Sequence, residues 1–135
     1  MAVLLDTGVI YALADTDDRW HRRCRGWLRE NREPLLVPTT VVPEAAYLIH
    51  QRLGPAAELK LVRALARGEV ALEHPRQADL DRAVAIMEAH PQVGLVDASV
   101  IAIAERLKAV AIATTDRRHF ELLRAALRVT CDLVP

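Results

Sequence analysis

The chain predicts an α/β fold of three layers, a central and mostly parallel β-sheet flanked by helices, in a single domain spanning residues 1–135. Three observations lead there. Apolar runs of strand length, such as residues 3–5, 35–37 and 110–113, alternate with longer segments of helical periodicity. Tight hairpin pairs such as Asn-Gly are missing, so successive strands must be joined through helices and run parallel. With 135 residues, 52% apolar and 27% charged, the chain can bury one core and lacks the length for two.

Val3-Leu4-Leu5 reads as a buried strand ending at Asp6, and residues 8–14 read as a helix. Asp15, Asp17 and Asp18 cap a second helix, in which Trp20, Cys24, Trp27 and Leu28 recur at i, i+4, i+7 and i+8. Arg19, Arg22, Arg23 and Arg29 take its other faces. Pro34 breaks the chain, residues 35–37 form a second strand, and Thr39 or Thr40 caps a helix to about Leu53. Gly54-Pro55 opens a helix with Leu59, Val62 and Ala66 inward, and Gly68 stops it. Residues 70–72 follow as a strand, then residues 77–89 as an amphipathic helix through Leu80, Ala83, Val84 and Met87. Pro91 and Gly94 interrupt before a nearly apolar, hence buried, helix from Asp97 to Leu107. Residues 110–113 form a strand, "TTDRRHF" leads into a helix to about Ala126, and residues 129–133 add an edge strand.

Composition excludes several functions. The 18 basic and 18 acidic groups balance, so nucleic acid would have to be met by a local basic patch. Cys24 and Cys131 stand far apart and read as small core residues of a reduced, cytoplasmic protein. No apolar run reaches the ~20 residues needed to span a bilayer. Asp6-Thr7-Gly8 is the tripeptide of aspartic proteases, but those need an all-β, hairpin-rich body around it, and here it joins a strand to a helix. Ser99, the only serine, has no G-x-S-x-G elbow, and the five histidines form no H-E-x-x-H pair. No glycine-rich phosphate loop is present.

What remains is carboxylates. Asp15, Asp17 and Asp18 belong to turns and caps, and Asp79, Asp81, Glu88 and Glu121 to polar helix faces. Four acids do not fit such roles. Asp6 closes a buried strand, and Glu44 interrupts "VVPEAAYLI" in the first turn of a helix. Asp97 begins the most apolar helix, and Asp116 follows the strand "VAIATT". In a parallel α/β sheet, strand ends and the helix starts beyond them share one edge. Three of the four are therefore expected on that edge, with Glu44 near it. Converging carboxylates repel and raise one another's pKa unless a cation neutralises them. Oxygen ligands without His or Cys select a hard ion such as Mg²⁺ or Mn²⁺, which can activate water against a phosphodiester.

"LLDTGVIYALAD", "VPTTVVPEAAYLI", "GLVDASVIAIAERL" and "IATTDRRHF" resemble, in order and spacing, the four motif blocks of PIN-domain ribonucleases, particularly the VapC-type toxins of type II toxin–antitoxin pairs. The resemblance implies a PIN-like fold and Mg²⁺- or Mn²⁺-dependent endonuclease cleavage of RNA that halts translation and growth. By motif, Asp6, Glu44, Asp97 and Asp116 become the catalytic, metal-binding quartet, with Thr7 and Thr114 as supporting hydroxyls. Gly8 stands where Ser or Asn is also frequent, at the loss of one polar contact. Arg117, Arg118 and His119 beside the last acid, and the arginine-rich face of the second helix, are the places to meet RNA, although most of Arg19 to Arg29 are expected to form a solvated helix face. The resemblance further implies a homodimer and a small antitoxin whose tail covers the acidic groove. A housekeeping RNA-processing nuclease of the same fold, or a non-catalytic RNA- or protein-binding module, are the alternatives.

Overall fold

Five short strands make one sheet in the order β3-β2-β1-β4-β5, with every neighbouring pair parallel. The structure is a computed structural model and describes residues 1–127 and 130–135. Its elements are β1 (Val3–Leu5), α1 (Thr7–Ala14), α2 (His21–Glu30), β2 (Leu35–Pro38), α3 (Val41–Leu53), α4 (Pro55–Ala66) and β3 (Ala71–Glu73). Then come α5 (Gln77–Ala89), α6 (Leu95–Leu107), β4 (Ala111–Ala113), α7 (Arg117–Leu127) and β5 (Asp132–Val134). The strand–helix alternation read from the sequence is thus the fold. The sheet is wholly parallel, including β5, whose expected start at Val129 lies outside the described residues.

β1 runs at the centre of the sheet, paired with β2 through Val3–Leu35 and with β4 through Leu4–Ile112. Buried on both faces, these strands read as continuous apolar runs with no alternation. α6 is buried along its whole middle, from Ala98 to Ala104. Its start falls two residues earlier than expected: Gly94 is extended, the helix begins at Leu95, and Asp97 sits inside the first turn. Lys108, in the left-handed region at φ 50°, ends α6, and the Ala109 amide turns back to the Ala104 carbonyl at 3.0 Å.

Two helices present a different face from the one their sequence favoured. α4 was expected to turn Leu59, Val62 and Ala66 inward, but all three are exposed, and Ala57, Leu61, Ala64 and Leu65 face the body instead. α5 buries Ala83 and Ile86, and leaves Leu80 and Val84 exposed. The cause on α5 is an ion pair. Asp79, expected on a polar face, is 3% exposed. Arg106 of α6 donates through Nε to both of its carboxylate oxygens at 3.0 Å, and through Nη2 to Glu73 of β3 at 2.8 Å. The Arg76 amide completes the set at 2.8 Å. An arginine shared between Asp79 and Glu73 in this way fixes the rotation of α5 against α6, and with it which apolar residues face inward. Arg106→Met strands the buried Asp79 charge, and a loss of about 3 kcal/mol is expected in urea unfolding.

Candidate active site

β1 and β4 are neighbours whose chains continue to opposite sides of the sheet, β1 to β2 and β4 to β5. Beyond the carboxyl ends of two such strands a crevice must open, because their connections lead away from each other. Asp6 closes β1, its amide bonded to the Ala113 carbonyl at 2.9 Å, and Thr114, Thr115 and Asp116 follow β4. The buried Thr114 joins the two strand ends. Its hydroxyl donates to Asp6 Oδ2 at 3.0 Å and accepts the Asp116 amide at 3.0 Å.

The other two acids arrive on helix starts. Thr40, expected as a cap of α3, makes no side-chain cap. Its hydroxyl instead meets Ser99 Oγ of α6 at 2.6 Å, and Ser99 donates onward to the Val96 carbonyl at 2.7 Å. Since Ser99 has one proton and gives it to Val96, Thr40 is the donor in this pair. The link clamps the first turn of α3, which carries Glu44, to the first turn of α6, which carries Asp97.

The four acids feel one another. Burial pushes the Asp6 carboxyl up to about 6, and the charges of Asp97 and Glu44 push the same way against the Thr7 amide and the Thr114 hydroxyl. Asp97 is likewise raised by burial, opposed by His119, and raised further by Asp116 and Glu44. Asp6 is 6% exposed, whereas Glu44 and Asp116 lie open to solvent, so the cluster runs from a buried floor to an exposed rim.

Several residues emerge that sequence reasoning missed or placed differently. His119 Nε2 lies 3.0 Å from Asp97 Oδ2, and its backbone amide reaches Asp116 Oδ1 at 3.4 Å. A residue singled out for RNA thus holds two of the acids. Gly8 has a packing reason: a Cβ there would come within 2.1 Å of Thr115 Oγ1, so its bareness admits the Thr115 hydroxyl over the start of α1. The Thr-Thr pair before Asp116 was the available signal for Thr115, while nothing in sequence spacing links Thr40 to Ser99, 59 residues apart. Thr7 is buried, its hydroxyl without a hydrogen-bond partner among the described residues. Arg117 is half-buried and donates to the Pro135 carbonyl, leaving Arg118 as the exposed arginine beside the acids.

This geometry defines an α/β protein with a group of carboxylates at a strand switch point. The sequence pattern of the PIN-domain family matches residues 3–125, and the chain belongs to that family. It is 32% identical over 124 residues to ribonuclease VapC26 of Mycobacterium tuberculosis, a match covering 90% of this chain and 92% of that protein. Among solved structures, the fold matches VapC20 of M. tuberculosis, a toxin that cleaves the sarcin–ricin loop, with a TM-score of 0.76 at 19% identity, over 82% of this chain and 86% of that one. DNA-bound VapBC of Salmonella typhimurium matches with a TM-score of 0.69 at 14% identity, over 98% and 96% of the two chains.

A raised carboxyl pKa makes a definite statement about stability. The folded chain retains the Asp6 proton up to about pH 6, whereas the unfolded chain releases it near 3.8. The contribution of this group is therefore intact below pH 4 and lost as pH rises through 6. In metal-free buffer, Asp6→Asn should be more stable than the parent by up to about 3 kcal/mol at pH 7.5, the difference vanishing near pH 4. Chemical denaturation at the two pH values measures it.

Proposed function

We propose that this chain is an endoribonuclease that hydrolyses RNA phosphodiester bonds with a divalent cation, Mg²⁺ or Mn²⁺, and serves as the toxin of a toxin–antitoxin pair. The observation that carries this is the coupled quartet of Asp6, Glu44, Asp97 and Asp116 at the carboxyl edge of the sheet. Its donor set is oxygen only, and the two raised carboxyls are groups whose ionisation a cation would favour. Among the described residues, no three His, Cys, Asp or Glu side chains surround one point closely enough to cage an ion. Mg²⁺ keeps much of its water and takes one or two carboxylates together with substrate phosphate. When bound, the ion supplies an acidified water and charge for the leaving oxygen.

The chain's own residues do the rest. Thr114 fixes the Asp6 carboxylate and the turn that carries Asp116. His119 engages Asp97 through Oδ2 alone, which leaves Oδ1 free of that contact. The exposed Arg118 stands beside the acids, where a guanidinium meets a phosphate. Thr7, with its unpartnered hydroxyl next to Asp6, adds a polar group at the floor.

A small antitoxin is the partner in this scheme. α4 stands off the body and leaves a groove of about 430 Å³, walled by Ile10, Leu13, Ile49, Leu61, Leu65 and Val70. Such a trough fits the apolar face of a helix from another chain. The exposed Leu80 and Val84 on α5 support the homodimer. No helix among the described residues is long and apolar enough to cross a membrane.

Purified chain free of any partner should cut transfer or ribosomal RNA with Mn²⁺, and Asp97→Asn should lower the rate by about a hundredfold or more. Absence of cleavage by the parent across both RNA classes would refute the enzyme, and equal cleavage by the variant would expose a contaminant. In a calorimetric titration, His119→Ala should weaken Mn²⁺ binding by roughly ten- to a hundredfold, while His119→Gln, which keeps an N–H donor, retains most of it.

A further inference from the structure

The zero net charge of this chain conceals a division. Residues 19–32 carry six arginines against Glu30 alone, five positive charges in excess. The rest of the chain, with twelve basic and seventeen acidic groups, carries five negative charges in excess. All six arginines (Arg19, Arg22, Arg23, Arg25, Arg29 and Arg32) are exposed, and none is ion-paired with an acid among the described residues. Arg106 and Arg82, by contrast, hold carboxylates, while Arg32 within the group donates only to the Arg29 and Asn31 carbonyls.

The placement on α2 is ordered. Cys24 is fully buried, and Trp27 and Leu28 flank it on the inner side. Arg22, Arg25 and Arg29, at i, i+3 and i+7, form one stripe on the opposite side. The Arg23 guanidinium lies over the Trp20 ring, 4.6 Å from its centroid, and that of Arg19 lies at 5.9 Å, so the indole restrains two more cations. His21 Nδ1 bonds the Ala12 carbonyl at 2.7 Å, which fixes the start of α2 to the end of α1. α1 itself begins beside Asp6 and is about 12 Å long.

Gly26 supplies an independent observation. It sits in the interior of α2, where glycine costs about 1 kcal/mol relative to alanine. No packing reason compensates, since a Cβ there meets nothing within 4 Å. Its helical neighbours at three and four residues are Arg22, Arg23, Arg29 and Glu30, so the missing side chain makes a notch flanked by three guanidinium stems and one carboxylate. Bare backbone flanked by three cations against one acid lets a phosphodiester strand approach closely.

We propose that the arginine face of α2 is an RNA-docking surface, separate from the acid cluster, that binds the phosphate backbone of the substrate and holds it against a site whose own charge repels it. This rests on the ribonuclease function proposed above and extends it by assigning where the RNA backbone is held. The contacts carry no sequence information and act through charge, so binding should be strongly salt-dependent.

The test uses the full chain carrying Asp97→Asn, so that RNA survives, with labelled transfer RNA followed by fluorescence anisotropy across a salt series. Replacing Arg22, Arg25 and Arg29 together by Gln should lower affinity roughly tenfold or more at low salt, and flatten the plot of log K against log salt by about 2. In the otherwise wild-type chain the same triple variant should raise KM for transfer RNA and leave cleavage of a dinucleotide unchanged. Gly26→Leu keeps every charge and should raise the thermal midpoint while weakening RNA binding, a pairing that a purely structural glycine would not give. Unchanged affinity and slope in the triple variant overturn the proposal, and unchanged binding by Gly26→Leu overturns the notch. Loss of poly-glutamate binding with RNA binding intact would assign the surface to an acidic protein and overturn it as well. A parent chain that neither cuts nor binds RNA fails the ribonuclease function itself, whereas one that cuts normally with the triple variant unimpaired fails only this surface.

Discussion

Ionising Asp6 is the difficulty around which the site is arranged. The carboxyl sits at the end of the central strand, 6% exposed, over Leu4 and Ile112, which are themselves almost wholly buried. Burial there removes the water that would stabilise the charge, and Asp97 and Glu44 add repulsion. Against this stand two donors, the Thr7 amide and the Thr114 hydroxyl. They lower the penalty without removing it, since the pKa still stands near 6. A group in that balance is held by a frame that cannot relax. The β1–β4 pairing and the Asp6 amide bond to Ala113 fix the backbone, and the Thr114 hydroxyl holds the carboxylate itself.

Exposure sorts the other acids. Glu44 and Asp116 stand in solvent, where repulsion is screened and a side chain can adjust. Asp97 lies between, engaged by His119. The interior acid is therefore fixed by the sheet, the intermediate one by a side chain of α7, and the outer pair by their helix starts. On the proposed function, such an order would let the cleft accept a cation and a phosphate without reorganising its floor, which is how preorganised electrostatics act. Under that function, the acids would give the cleft a negative field, against which an excess of positive charge elsewhere on so small a surface would help to hold RNA.

Much of this was legible in the residues. Strands and helices alternate as expected because buried parallel strands are short apolar runs and the intervening helices carry longer periods. Asp6, Glu44, Asp97 and Asp116 stood out because each carries charge where the surrounding pattern is apolar. The failures share a physical cause. On α5, Leu80, Ala83, Val84 and Met87 offered a plausible inner stripe, and Ala83 and Met87 do pack inward. With Asp79 held by Arg106, however, the helix buries Ile86 and leaves Leu80 and Val84 exposed, and a buried ion pair leaves no mark in periodicity. On α4, which buries no residue fully, two apolar stripes compete, and packing on α3 decides between them. Thr40 reads as a cap by local rules, yet its hydroxyl finds a better partner across the fold in Ser99. Gly8 reads as a lost contact until Thr115 is placed above it. In each case the deciding partner is distant in sequence.

The stand-off of α4 has a consequence for control of the site. The groove it leaves has Leu5 in its lining, the residue before Asp6, and Ile10, whose amide bonds the Asp6 carbonyl at 3.3 Å. Groove and site floor are thus built on adjoining residues of the same segment, from Leu5 to Ile10. A helix seated in the groove would pack on the apolar side of the backbone that carries Asp6, and a short extension from it could reach the acid rim. For a toxin, a partner bound this way needs no long-range conformational change to silence the enzyme. Apolar area in the groove would supply affinity, and proximity alone would place a few residues of the partner where RNA must enter.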